Sequence, residues 1–106
     1  MPVLSAGRIR HSVAFALVHP PGSAQEADFL AAAARLAEAV PGVEAFEILR
    51  EVSPKNAFAH GLSMEFADRT AYEAYDQHPE HVAFVRDRWL AEVAEFQEID
   101  YVAREG

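Results

Sequence analysis

Cysteine is absent from the 106-residue chain. Its absence excludes a disulfide framework, a thiolate nucleophile and any paired-cysteine zinc site, and it agrees with a reducing compartment. Cations are scarce as well: nine Lys and Arg stand against seventeen Asp and Glu, for a formal charge of -8. They are scattered singly, as at Arg8, Arg10, Arg35, Arg50 and Lys55, with only Arg86 and Arg88 close together. A surface that tracks nucleic-acid phosphates needs clustered cations, so nucleic acid is not an expected partner. No run approaches the roughly 20 apolar residues that span a bilayer, and the opening MPVLSAGRIR lacks the apolar core of a secretory signal. The expectation is a cytoplasmic protein with no membrane partner. A phosphate-binding glycine loop and a nucleophile elbow are also missing.

What is present is a length and a hydrophobic fraction, 51%, suited to one compact domain over residues 1–106. RIRHSVAFALV, 8–18, alternates: Ile9, His11, Val13, Phe15 and Leu17 share one face, and small or polar residues share the other. HPPG ends that strand. Ser23 and Glu26 form a capping-box pattern opening a helix to about Val40, striped by Phe29, Leu30, Ala33, Leu36, Ala37 and Val40. Pro41 and Gly42 stop it. VEAFEILREV, 43–52, reads as a second strand of less certain facing. FAHGLSMEFA, 58–67, reads as a third, with Phe58, His60, Leu62, Met64 and Phe66 on one face. Asp68 caps a helix that Pro79 interrupts and that resumes to about Leu90 or Ala91. EFQEIDYVA, 95–103, is the last strand. The tails 1–6 and 104–106 are expected to fray.

The order β-α-β-β-α-β predicts an α+β, ferredoxin-like sandwich with both helices on one face of an antiparallel sheet. Two helices cover only that face. The other face of the first strand, with Ser12, Ala14, Ala16 and Val18, is small and uncharged, a poor solvent surface that a second copy of the sheet would cover. A homodimer, forming a dimeric α+β barrel, is the expected assembly.

His11 and His60 sit in otherwise apolar strand faces. Each can be a neutral core imidazole bonded to a carbonyl or water, yet two on one face can also line a cavity between sheet and helices. The stretch YDQHPEH, 75–81, raises a sharper question. In an unbroken helix Tyr75 and His81 would lie about 240° and 9 Å apart and could not meet. Pro79 suits a first helical position and pushes His78 out of helical geometry, so a bend there could turn Tyr75 toward His81. His81 would stand in the first turn of the new helix, where the neutral imidazole is preferred and can act as a base. Tyr75 would donate to an oxygen that develops negative charge. The alternatives at this point are a capping His78 with a half-exposed His81 and a core Tyr75, or a metal held by His78 and His81 with His11 or His60. No carboxylate or cysteine pattern accompanies the metal reading, so neither a metal nor a cofactor is expected.

The strands I-R-H-S-V-A-F and A-H-G-L-S-M-E-F, the segment Y-x-x-H-P-x-H-V-x-F and a tyrosine in the last strand together resemble the stress-responsive A/B barrel (Dabb) domains. The resemblance covers about residues 8–103. It implies a homodimer in which two ferredoxin-like sheets close into one barrel. It also implies that Tyr75 and His81 occupy the positions of a catalytic Tyr and His pair in a plant polyketide cyclase of the family, with His11 and His60 at two further pocket positions. The expected function is therefore a cofactor-independent acid–base enzyme, cyclase- or lyase-like, abstracting a proton next to a carbonyl. Tyr75 and His81 are its catalytic pair, and His11, His60, Tyr72 and His78 bind a small hydrophobic or carbonyl-bearing molecule. The alternative is a non-catalytic stress-responsive or ligand-binding dimeric barrel.

Overall fold

The computed structural model describes residues 4–104; the expected fraying at 1–3 and 105–106 lies outside the described residues. The elements run β1 (Ile9–Leu17), α1 (Ala24–Ala39), β2 (Glu44–Arg50), β3 (His60–Phe66), α2 (Arg69–Gln77), α3 (Pro79–Phe84) and, last, β4 (Val93–Tyr101). A π-helical turn, Val85–Trp89, and one further α turn, α4 (Leu90–Glu92), join α3 to β4. The sheet order is β2-β3-β1-β4, antiparallel throughout. This is the ferredoxin-like α+β sandwich.

Alternation in the sequence becomes two faces in the sheet. Ile9, His11, Val13 and Phe15 of β1 are buried with Leu62, Met64 and Phe66 of β3. They pack against Phe29 of α1 and Tyr75 of α2, and Phe15, Phe29 and Phe66 are fully enclosed. Each such ring contributes about 1.5–3 kcal/mol of burial. On the other face Arg10, Ser12 and Ala14 stand opposite Glu65, Ser63 and Gly61 on β3 and Tyr101, Ile99 and Gln97 on β4. Leu49, Ile99 and Tyr101 remain exposed there.

The caps follow the sequence signals. Ser23 Oγ accepts from Glu26 N–H at 3.1 Å, while Glu26 Oε1 accepts from Gly22 N–H at 3.1 Å. Asp68 Oδ1 accepts from Ala71 N–H at 2.8 Å, starting α2. Boundaries shift where turn chemistry intervenes. β3 starts at His60 rather than Phe58, because the Phe58 N–H is taken by the Asn56 side chain at 2.9 Å. β4 starts two residues before the expected Glu95, because Val93 already pairs with Leu17 and Val18 N–H bonds the Glu92 carbonyl at 2.8 Å.

Two irregularities were not legible. In β2, Ala45 has φ of 51° and the register slips between Glu44 and Glu47. Ala45 and Phe46 thus oppose the single residue Met64, a β-bulge that turns Phe46 toward the helices. In the helical run, Leu90 N–H donates to the Val85 carbonyl five residues back. Among the described residues no helix is long and apolar enough to cross a membrane.

Candidate active site

Between sheet and helices lies a cavity of about 280 Å³. Val13, Leu62 and Met64 form its floor, Ala33 and Ala37 of α1 leave it room, and Phe46, Phe84 and Trp89 wall it. Small alanines along α1 are what keep the space open: a larger side chain at either position would enter it.

Tyr75 and His81 reach the cavity from two different helices. α2 ends at Gln77, His78 is extended (φ -63°, ψ 135°), and α3 starts at Pro79. Across this break the rings of Tyr75 and His81 approach to 4.4 Å between centroids. His81 Nδ1 lies 3.0 Å from the backbone carbonyl of Asp76. A carbonyl only accepts, so Nδ1 carries a proton, and in the neutral ring Nε2 keeps its lone pair. Tyr75 is 5% exposed, and among the described residues its hydroxyl makes no hydrogen bond. Since no buried side-chain polar atom there lacks a partner, that hydroxyl must touch cavity space. Burial first, then the charges of Asp76 and Glu98, push the phenol well above its ordinary value of 10. It stays a donor.

His11 enters from the floor. Its Nδ1 lies 2.6 Å from Asp100 Oδ1 and 3.4 Å from Glu98 Oε2, so Nδ1–H donates to the Asp100 carboxylate. The Tyr72 hydroxyl donates to the other Asp100 oxygen at 2.7 Å, with Glu98 Oε2 at 3.1 Å. Burial, followed by the bond to Asp100, raises the Tyr72 phenol far above its usual range. Tyr72 stacks on Phe66 at 5.1 Å and does not line the cavity, so its contact with the site runs through His11 and Asp100.

His60 and His78, both expected to bind substrate, do not line the cavity. His60 lies opposite Phe15 and His11 opposite Met64, so the two share a face but stand four residues apart along it, about 13 Å. Phe15 and Trp89, 5.2 Å apart, fill the space at that end, and His60 Nε2 turns to Glu26 at 3.3 Å. His78 Nδ1 accepts from Glu80 N–H at 3.1 Å and caps α3. Its first ring nitrogen is thereby spent on backbone. Sequence reasoning passed over Phe46, hidden by the bulge, and Glu98 and Asp100. The signal for those two was in β4, where Phe96, Glu98 and Asp100 alternate onto the helix side opposite Phe15, Val13 and His11.

The sequence matches the stress responsive A/B barrel domain over residues 9–103. The chain belongs to that family. A Dabb family protein with a ferredoxin-like fold from Mesorhizobium loti shares 54% identity over 92% of this chain and 97% of its own, with a TM-score of 0.90. The hydroxynitrile lyase of Passiflora edulis superposes with a TM-score of 0.83 at 15% identity, covering 96% of this chain and 98% of its own. A dimeric ferredoxin-like protein from Thermobifida fusca gives 0.76 at 16% identity, covering 95% of each chain. Among proteins of curated function none matches the sequence significantly.

Proposed function

We propose that this Dabb protein is a homodimeric, cofactor-independent acid–base enzyme of the lyase or cyclase type, acting on a small carbonyl compound. The carrying observation is the Tyr75 hydroxyl, unpartnered among the described residues and open to a largely apolar cavity, with the His81 ring 4.4 Å away and its Nδ1 turned to the Asp76 carbonyl, which in the neutral ring leaves the Nε2 lone pair free. His81 Nε2 takes a proton from the carbon next to the carbonyl. The C–H pair becomes the enolate double bond, the carbonyl π pair moves to oxygen, and Tyr75 O–H donates to that oxygen as its charge grows. If His81 returns the proton to carbon, the step is an exchange. If the enolate pair instead expels an oxygen from the β-carbon, that oxygen takes the proton and the C–O bond is cleaved. If the enolate carbon attacks a second carbonyl of the same molecule, the new alkoxide takes the proton and a ring closes; no redox change occurs in any of the three. The Passiflora relative is a lyase on the same fold. For the dimer, the open sheet face with Leu49, Ile99 and Tyr101 exposed and the dimeric Thermobifida relative are the support.

The test is proton exchange. In deuterated buffer the protein should catalyse deuterium uptake next to the carbonyl of an aryl ketone, followed by NMR. His81→Ala should lower that rate by about 10²–10⁴, the range of a positioned general base, while sedimentation still shows a folded dimer. An unchanged rate would remove His81 from the chemistry. Binding without exchange in the native protein would favour the non-catalytic ligand-binding barrel.

A further inference from the structure

Among the described residues the cavity wall carries two carboxylates, Asp76 and Glu98, and two histidines, His11 and His81, and neither Lys nor Arg. Four arginines are paired with carboxylates elsewhere. Arg88 bonds Glu92 and Asp28, Arg86 bonds Asp87, and Arg8 and Arg10 bond Glu65 on the open sheet face. The cavity mouth can also be located. Among its lining residues Leu90 is 71% exposed, Phe96 52% and the Glu98 side chain 48%, and Asp76 of α2 is exposed as well, so the cavity opens along β4 beside α4 and past a second carboxylate at the end of α2. A ligand entering there passes two apolar side chains and a carboxylate, with Asp100 next to that carboxylate on the same face of β4. Glu98 Oε2 and Asp100 Oδ2 both lie within 3.1 Å of the Tyr72 hydroxyl, which holds the two acids together as one negative rim.

We infer that the site admits uncharged carbonyl compounds and rejects carboxylates and phosphates, a reading that rests on the carbonyl chemistry proposed above. An anionic group inside would meet Glu98 with no Lys or Arg among the described lining residues to offset it, in a space whose apolar walls screen poorly. A neutral ketone or aldehyde carries no charge for Glu98 to repel, and its oxygen finds a donor in the Tyr75 hydroxyl. The selectivity is built into β4 and is independent of which bond the site breaks.

Phenylacetone and phenylpyruvate make the probe pair. They share the phenyl ring, the methylene and the ketone, and differ by a methyl against a carboxylate. Titrated into the native protein at pH 7 and 50 mM salt, phenylacetone should bind at least tenfold more tightly. Glu98→Gln should shrink that gap to within about threefold, and raising salt to 500 mM should narrow it in the native protein, since partly exposed charges are screened. The salt series requires no variant to fold. Equal or tighter binding of phenylpyruvate would overturn the inference, as would a gap indifferent to both Glu98→Gln and salt, or binding of neither compound at 10 mM. Tight, selective binding of phenylacetone with no deuterium uptake at its methylene would leave the selectivity standing and refute the proposed catalysis.

Discussion

Tyr75→Phe separates a catalytic phenol from a structural one, because the hydroxyl does nothing visible for the fold. Its ring packs between Phe66, at 5.2 Å, and His81, at 4.4 Å, and those contacts survive in phenylalanine. Removing a hydrogen-bonded buried hydroxyl usually costs about 0.5–1.5 kcal/mol, plus the cost of orphaning its partner. Here no partner is orphaned, so the expected cost is about 0–0.5 kcal/mol. That corresponds to a melting shift of no more than about 2–4 °C in a domain of this size. Losing one donor to a developing oxyanion should lower the exchange rate about 10²–10³-fold. Tyr72→Phe is the internal contrast. Its hydroxyl serves Asp100 and Glu98, so the variant should lose about 1 kcal/mol, the partly exposed setting keeping it below a buried charged bond. Urea unfolding and the deuterium assay on both variants provide the four numbers. A Tyr75→Phe protein destabilised by more than about 1.5 kcal/mol, or one with undiminished exchange, would refute the assignment of this phenol.

His78→Ala removes the cap on α3 and should cost about 0.5–2 kcal/mol in urea unfolding, while the affinity for phenylacetone stays within twofold because His78 does not line the cavity. Ala45→Gly should raise stability by about 1 kcal/mol, because the φ of 51° suits glycine better than an L side chain; a destabilised variant would show that the bulge is not strained. In alkali, Tyr72 and Tyr75 have folded-state values raised above the ordinary 10. Their contribution to stability is thus present below pH 10 and is lost as pH rises beyond it. The urea midpoint should fall between pH 9.5 and 11, and fall less in the Tyr72→Phe, Tyr75→Phe double variant.

The parts of the structure that were legible in the sequence are those set by short-range rules. Period-two alternation placed His11 on the buried face, Ser23 and Asp68 announced their helices, and Pro79 announced the break that lets Tyr75 meet His81. Facing, however, is not position along a strand. His60 shares the face of His11 yet stands at the far end, where the antiparallel register sets it opposite Phe15. That register depends on pairing between distant segments, which no local pattern carries. Likewise the bulge at Ala45 has no glycine to mark it, so Phe46 read as a residue of uncertain facing although it walls the cavity.

Both helix irregularities serve the same wall. A regular helix beginning at Pro79 would bring position 88 back beneath His81, since seven residues complete almost two turns. Position 88 is Arg88, and an arginine there would set a cation against the cavity. The π turn at Val85–Trp89 absorbs one additional residue and winds Trp89 onto the wall instead, leaving Arg88 to bond Glu92 and Asp28 outside. The break at His78 places His81 at the cavity, and the π turn decides what faces it: an aromatic surface in place of a guanidinium. The acidic, cation-free character of the site is therefore set by backbone winding as much as by composition. The proposed preference for a neutral ligand over an anion rests on that winding.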